Sequence, residues 1–252
     1  MTGVSRRANA AAYRDGSVVD RYLADPYHAL RADIAVAELG RRVGARGAAG
    51  GCGAAGGAGG RPLVLELAAA GGALGLRLAG RACRVVLSDV ERQALPRPGE
   101  CVSCVAFDAA ARFPFRGEVF DGLLMGELIE HLYDPVALVR ECHRVLRPGG
   151  ALVLTTPNLA PLQDRLRFLL GRSPRQVDPL HEYLRLHIRP FTAQLLTRLL
   201  ARGGFVVSAV RSNYVVLDCL PGRQLRLRWP ARLFPRLGGS LIVVAVKPAP
   251  PG

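Results

Sequence analysis

The spacing of apolar positions changes character twice along the chain. From about Gly16 to Val43 it follows a near-helical period: Val18, Val19 and Tyr22, then Leu30, Ile34, Val36, Ala37 and Leu39. That spacing predicts a helical N-terminal segment, residues 1–43. Residues 44–60 are almost all glycine and alanine, with no apolar period, and read as a flexible linker. From residue 61 onward short solid apolar runs take over. Leu63–Leu67, Arg84–Asp89, Val102–Asp108, Phe120–Met125, Ala151–Thr155, Phe205–Val210 and Leu241–Val246 predict strands. A helix is expected after the small residues that follow Leu67, where Leu74, Leu76 and Leu78 stand. Pro135–Leu146 reads as a helix with proline early and Pro148-Gly149-Gly150 behind it. Thr192–Ala201 reads as another, capped by threonine and closed by Gly203-Gly204.

Alternation of strand and helix implies an α/β, doubly wound, mostly parallel sheet covered on both faces. Its ligand is expected at the carboxyl ends of the strands. The expected domain spans residues 61–252, with a substrate cover over about 159–190.

Composition adds little to the fold but bears on partners. The chain of 252 residues suffices for one domain with its own core. It has no apolar run long enough to span a membrane and no apolar signal region, so cytoplasmic residence is the default expectation. Its six cysteines show no repeated pairing and are expected to be reduced thiols. Every basic residue except Lys247 is arginine, as a G+C-rich coding sequence would produce. Position is more telling than the total of +14. From Met1 to Glu141 there are 17 basic and 16 acidic residues; from Cys142 to Gly252 there are 17 and 4. The basic C-terminal part is a candidate surface for an anionic carrier protein, a nucleic acid or a membrane. Arg223–Arg236 mixes arginine with Leu225, Leu227, Trp229, Leu233 and Phe234, a mixture suited to a membrane surface or to a lid over an apolar pocket. The stretch Leu162–Arg189, with Leu162, Leu166, Phe168, Leu169 and Leu170 beside Arg165, Arg167, Arg172 and Arg175, reads as an amphipathic helix with a basic edge. No aromatic stacking platform accompanies the charge, which disfavours nucleic acid.

Candidate chemistry begins at the first strand. The dinucleotide fingerprint GxGxxG is absent; Glu66 is followed by Ala68-Ala69-Ala70-Gly71-Gly72. Asp89 closes the second strand, where an acid can accept hydrogen bonds from ribose hydroxyls, and Asp108 closes the third. A series then follows: Phe113-Pro114-Phe115, Phe120-Asp121, Glu127 through Pro135, Glu141, Arg144 through Gly150, and Thr156-Pro157-Asn158. Taken together these residues resemble the class I S-adenosylmethionine-dependent methyltransferases, in the branch acting on small molecules.

The resemblance spans roughly Pro62 to Gly204. It implies a Rossmann-like seven-stranded sheet with an antiparallel last strand and three helices on each side. It implies S-adenosylmethionine as cofactor and a small-molecule acceptor. By position, Glu66, Ala68, Ala70 and Gly72 would contact the methionine end of the cofactor. Asp89 would hold its ribose, Asp108 its adenine, and Met125 and Gly126 would line the site. The family usually has glycine where Ala68 and Ala70 stand. That departure keeps open a member that binds without catalysing, and the basic part keeps open a nucleic-acid methyltransferase.

Glu127, Glu130 and His131, with helix-like spacing, are expected to share a face and to meet His187 from the cover. His131 or His187 would serve as base. The four together are a candidate divalent-metal set, similar to one in methyltransferases of quinone-precursor catechols and of small-RNA 3′ ends. The same Glu-x-x-Glu-His run also occurs in members of the superfamily without a metal.

Overall fold

The computed structural model describes residues 22–49, 60–79, 83–182, 184–220 and 223–250. The helical reading before Tyr22, the Gly/Ala stretch over 50–59 and Cys52 lie outside them. Helix α1 (Pro26–Ala49) runs six residues past the expected end at Val43, because the alanines there favour helix more than the intervening glycines oppose it. The sheet is built from β1 (Leu63–Leu67), β2 (Arg84–Asp89), β3 (Val102–Ala106), β4 (Phe120–Gly126), β5 (Leu146–Pro157), β6 (Val206–Arg211) and β9 (Ser240–Val246). Helix α2 (Pro135–Val145) precedes β5, α3 (Leu162–Leu169) follows it, and α4 (Ala193–Arg202) precedes β6. Strands β7 (Val215–Leu220) and β8 (Arg223–Leu227) form a separate antiparallel hairpin, followed by α5 (Arg228–Leu233).

The strand order is β3-β2-β1-β4-β5-β9-β6. Strands β1 to β5 are parallel, and β9 runs antiparallel between β5 and β6. Side chains alternate between the two faces, as the two-residue strand period requires. Leu65, Leu123, Met125, Leu152 and Val243 pack under α2 and α4. Val64, Leu124, Val153, Ile242 and Val244 pack under α1. Gly122 lets α1 come close: a Cβ there would lie 2.9 Å from Val43 and 3.0 Å from Leu39. Helix α2 starts as expected, with Asp134 accepting the Ala137 N–H at 2.9 Å, and Thr192 caps α4 by accepting from Leu195.

Two expectations are corrected. The implied three helices on each face are not present among the described residues. The helix expected over Leu74–Leu78 is a single 3-10 turn (Gly75–Arg77), and the next connection holds only Arg92–Ala94. Glycines before the first turn and Pro96 and Pro98 behind the second leave too little helix-forming sequence for longer elements. Helix α1 covers that face instead. Strand patterning did not reveal the β7–β8 hairpin: β8 is mostly exposed, and in β7 the adjacent Val215 and Val216 are both buried, so neither strand shows a two-residue apolar period. Cys101, Cys104 and Cys142 are free thiols, as expected.

Candidate active site

A cavity of about 360 Å³ opens at the carboxyl ends of β1, β2 and β4, within the size range of ligand sites (roughly 300–1,000 Å³). Its floor is the turn after β1. Ala68 and Ala70 hold φ of 51° and 46°, and Gly72 holds 75°. Both alanines therefore follow the left-handed path that glycine takes without strain, and each carries a steric cost. The Ala70 N–H donates to Asp89 Oδ2 at 2.9 Å, and Asp89 Oδ1 accepts from Glu91 N at 3.0 Å. The carboxylate keeps lone pairs for further donors. Asp108, two residues beyond β3, also lines the cavity, with Phe107 beside it.

Glu66 is buried at the bottom. Its Oε2 accepts the Gly75 N–H at 2.8 Å, and burial pushes its carboxyl up to about 8. A neutral carboxyl therefore predominates at neutral pH. Gly126 lines the cavity. Met125 does not: one residue earlier on β4, it faces the opposite side of the sheet and is fully buried under α2. Gly72 shapes the turn without lining the cavity; a Cβ there would lie 2.6 Å from Leu87.

Glu127, Glu130 and His131 do not share a regular helix face. Glu127 ends the strand at φ 50°, and Ile129–His131 is one 3-10 turn. The kink sends the two carboxylates apart. Glu127 pairs with Arg31 at 2.7 Å and accepts from Thr155 Oγ1 at 3.0 Å. Glu130 is fully buried; Thr156 Oγ1 donates to its Oε2 at 2.9 Å and its Oε1 has no hydrogen-bond partner. Burial, then the charge of Glu127, drives the Glu130 carboxyl well above its ordinary range.

His131 and His187 do converge, with ring centroids 4.9 Å apart and edge-to-face. His131 Nδ1 lies 3.0 Å from the Leu186 carbonyl, and His187 Nδ1 3.1 Å from Gln176 Oε1. Both partners only accept, so each Nδ1 carries the proton and each Nε2 offers a lone pair. Burial lowers His131, and burial with the neighbouring His131 and His181 brings His187 down to about 4. Only His131 lines the cavity; His187 stands behind it, and Leu186 and Ile188 form the wall. One donor atom each from Glu130, His131 and His187 lie within 4.8 Å of one another. Glu127 is outside that group, because Arg31 holds it.

Arg31 is the residue that motif reading missed. It is 5% exposed, lines the cavity, and donates to the Tyr22 hydroxyl at 2.7 Å as well as pairing with Glu127. Burial works against its charge, but Glu127 and Tyr22 outweigh it and raise its pKa. A signal was available: Arg31 stands four, eight and twelve residues before Ala35, Leu39 and Val43, in the buried stripe of α1.

Comparison with known proteins bears on this geometry. Residues 65–154 match a family model described as a methyltransferase domain. A Mycolicibacterium smegmatis protein named "Probable S-adenosylmethionine-dependent methyltransferase/" is 35% identical over 139 residues, covering 55% of this chain and 45% of its own. A ubiquinone biosynthesis O-methyltransferase of Parvibaculum lavamentivorans is 30% identical over 106 residues, covering 37% and 40%. The chain thus spans less than half the length of these curated relatives. Among solved structures, the Haloferax volcanii complex between the Trm112 methyltransferase activator and a methyltransferase is similar in fold, with TM-score 0.62, 17% identity, and 95% and 96% of the two chains covered.

Proposed function

Starting from a chain that carries a class I S-adenosylmethionine-dependent methyltransferase domain, we propose that it moves a methyl group to an oxygen, nitrogen or carbon of a small-molecule acceptor. The observation that carries the reading is the cavity itself, with Glu66, Asp89 and Asp108 at its base and His131 at its rim. The residues fit the cofactor. Ala68 and Ala70 keep the turn in the glycine-like path despite their methyl groups, and Asp89 retains acceptor capacity for the ribose hydroxyls. Asp108 would take the adenine amino group, and Glu66 would meet the methionine ammonium.

When bound, S-adenosylmethionine supplies an electrophilic methyl on a positively charged sulfur. The chain positions an acceptor in line with that methyl, which is its main contribution to rate. His131 Nε2, neutral and unprotonated, removes the acceptor proton, while the Leu186 carbonyl fixes the ring through Nδ1. His187 holds the His131 ring from behind and is a positioning residue.

Calorimetry tests the cofactor assignment. Asp89→Ala is expected to weaken S-adenosylmethionine binding roughly 10- to 150-fold, the range for losing hydrogen bonds to a charged group. Equal affinity of wild type and variant would reject Asp89 as the ribose ligand. Binding without label transfer to any acceptor in a fractionated metabolite extract would favour the non-catalytic reading.

One observation favours a second arrangement at the rim: the Glu130–His131–His187 donor set, with Glu130 Oε1 buried and unbonded. These residues would hold a divalent metal, which would orient vicinal hydroxyls of the acceptor. Added divalent metal is then expected to raise the melting temperature of wild type but not of Glu130→Ala. No shift, with turnover unaffected by a chelator, leaves the metal-free base.

A further inference from the structure

The substrate cover has a second, outward surface of different chemistry. Helix α3 turns Gln163 and Asp164 inward and leaves Phe168, Leu169 and Leu170 exposed at 70%, 80% and 76%. Helix α5 is likewise inverted. Its Ala231 is buried, while Trp229 and Leu233, four residues apart on one face, are 69% and 56% exposed, and Phe234 follows at 57%. Both helices pack against β7. Arg165 on α3 also donates to the Arg236 carbonyl just past α5. The two helices that carry the apolar ridges are therefore neighbours.

The charge around them is mostly positive; the exposed acid nearby, Asp218 on β7, is engaged by Arg175 and Gln224. Residues 223–236 hold five arginines and no acid. Arg226 is engaged by Asp25, while Arg223, Arg228, Arg232 and Arg236 are exposed. On α3, Arg165 is exposed beside the apolar ridge.

We infer that this surface docks on an anionic lipid bilayer. Six large apolar side chains standing in water on two neighbouring helices mark an interaction site. Arginines in excess of the paired acids Asp25 and Asp218 are complementary to lipid phosphates, and guanidinium groups bind those in bidentate fashion. Tryptophan and phenylalanine beside arginine suit the headgroup boundary, where a ring sinks and a charged tip stays wet. Among the described residues no helix is long and apolar enough to cross a membrane. The same cover supplies Leu186 and Ile188 to the cavity wall, which joins the docked surface to the proposed acceptor site. Docking itself does not depend on the methyl-transfer reading.

Trp229 is the only tryptophan in the chain, so its fluorescence reports on this surface alone. Vesicles of phosphatidylcholine with phosphatidylglycerol are expected to sediment the protein and shift its emission to the blue. Phosphatidylcholine alone should do so far less, and added salt should weaken binding. Arg228→Gln with Arg232→Gln should lower the partition coefficient roughly 30-fold, at about 1 kcal/mol per arginine. Leu233→Ser with Phe234→Ser should weaken binding while leaving the circular dichroism unchanged, because both side chains are exposed. Sedimentation without a blue shift would overturn the insertion. No sedimentation, with concentration-dependent self-association that the Leu233/Phe234 variant abolishes, would instead make this face a contact between copies of the chain. Cofactor affinity measured without vesicles should be the same in these variants, so failure here and failure of the methyltransferase reading are distinguishable.

Discussion

Ala68 and Ala70 sit where the backbone demands positive φ, and they accept the strain in place of glycine. Ala68→Gly and Ala70→Gly are each expected to stabilise the protein by up to about 1 kcal/mol, since relief of left-handed strain outweighs the added freedom of the unfolded chain. Thermal melts should show about 2–4 °C per substitution, without loss of S-adenosylmethionine affinity. A large loss would mean that the turn is adapted to alanine. Glu66 makes a second prediction at this scale. Its folded-state pKa of about 8 lies above the usual carboxylate value, so its contribution is fully present below about 4.5 and is lost as pH rises through 8. Stability should decline across that window, and Glu66→Gln should flatten the decline. If Glu66 meets the methionine ammonium, binding at neutral pH should release protons. Calorimetry in buffers of differing ionisation enthalpy would detect them.

Helix α1 dominates one face of the sheet among the described residues. It covers one face of the sheet and delivers Arg31 into the cavity wall. The Arg31–Glu127 pair ties that helix to the end of β4. Arg31→Ala is expected to cost about 1–3 kcal/mol, because it leaves the half-buried Glu127 carboxylate with Thr155 but without its ion-pair partner. Arg31→Met combined with Glu127→Gln should cost less than the two single changes summed, as urea unfolding in a double-mutant cycle would show. Additive effects would mean that the pair does not couple helix to strand.

Across the whole molecule, acid should act on two distant joints. His28 on α1 and His187 in the cover are both depressed to about 4, chiefly by burial. The folded state therefore binds fewer protons than the unfolded chain between about 6.5 and 4, and stability is lost as pH falls through that window. Melting temperatures across the window should show the fall, and His28→Gln should remove its own share. The acid limb of activity belongs to His131, which burial lowers. It should lie below the ordinary histidine value of about 6.5.

The sheet was legible in the sequence, because strands buried on both faces must be solid apolar runs. Caps at Asp134 and Thr192 and the acids Glu66, Asp89 and Asp108 were legible too, because each stands at a strand or helix end where a local signal marks it. Their gathering around one cavity follows from the parallel topology, which brings the carboxyl ends of β1, β2 and β3 to one edge. The sequence likewise brought His131 and His187 together. It did not separate Glu127 from Glu130, since that rests on a positive φ and on an arginine 96 positions away in sequence. Nor did it place Met125 in the core or reveal the β7–β8 hairpin. Those outcomes depend on which face a side chain takes and what reaches it from elsewhere, and only packing in three dimensions decides that.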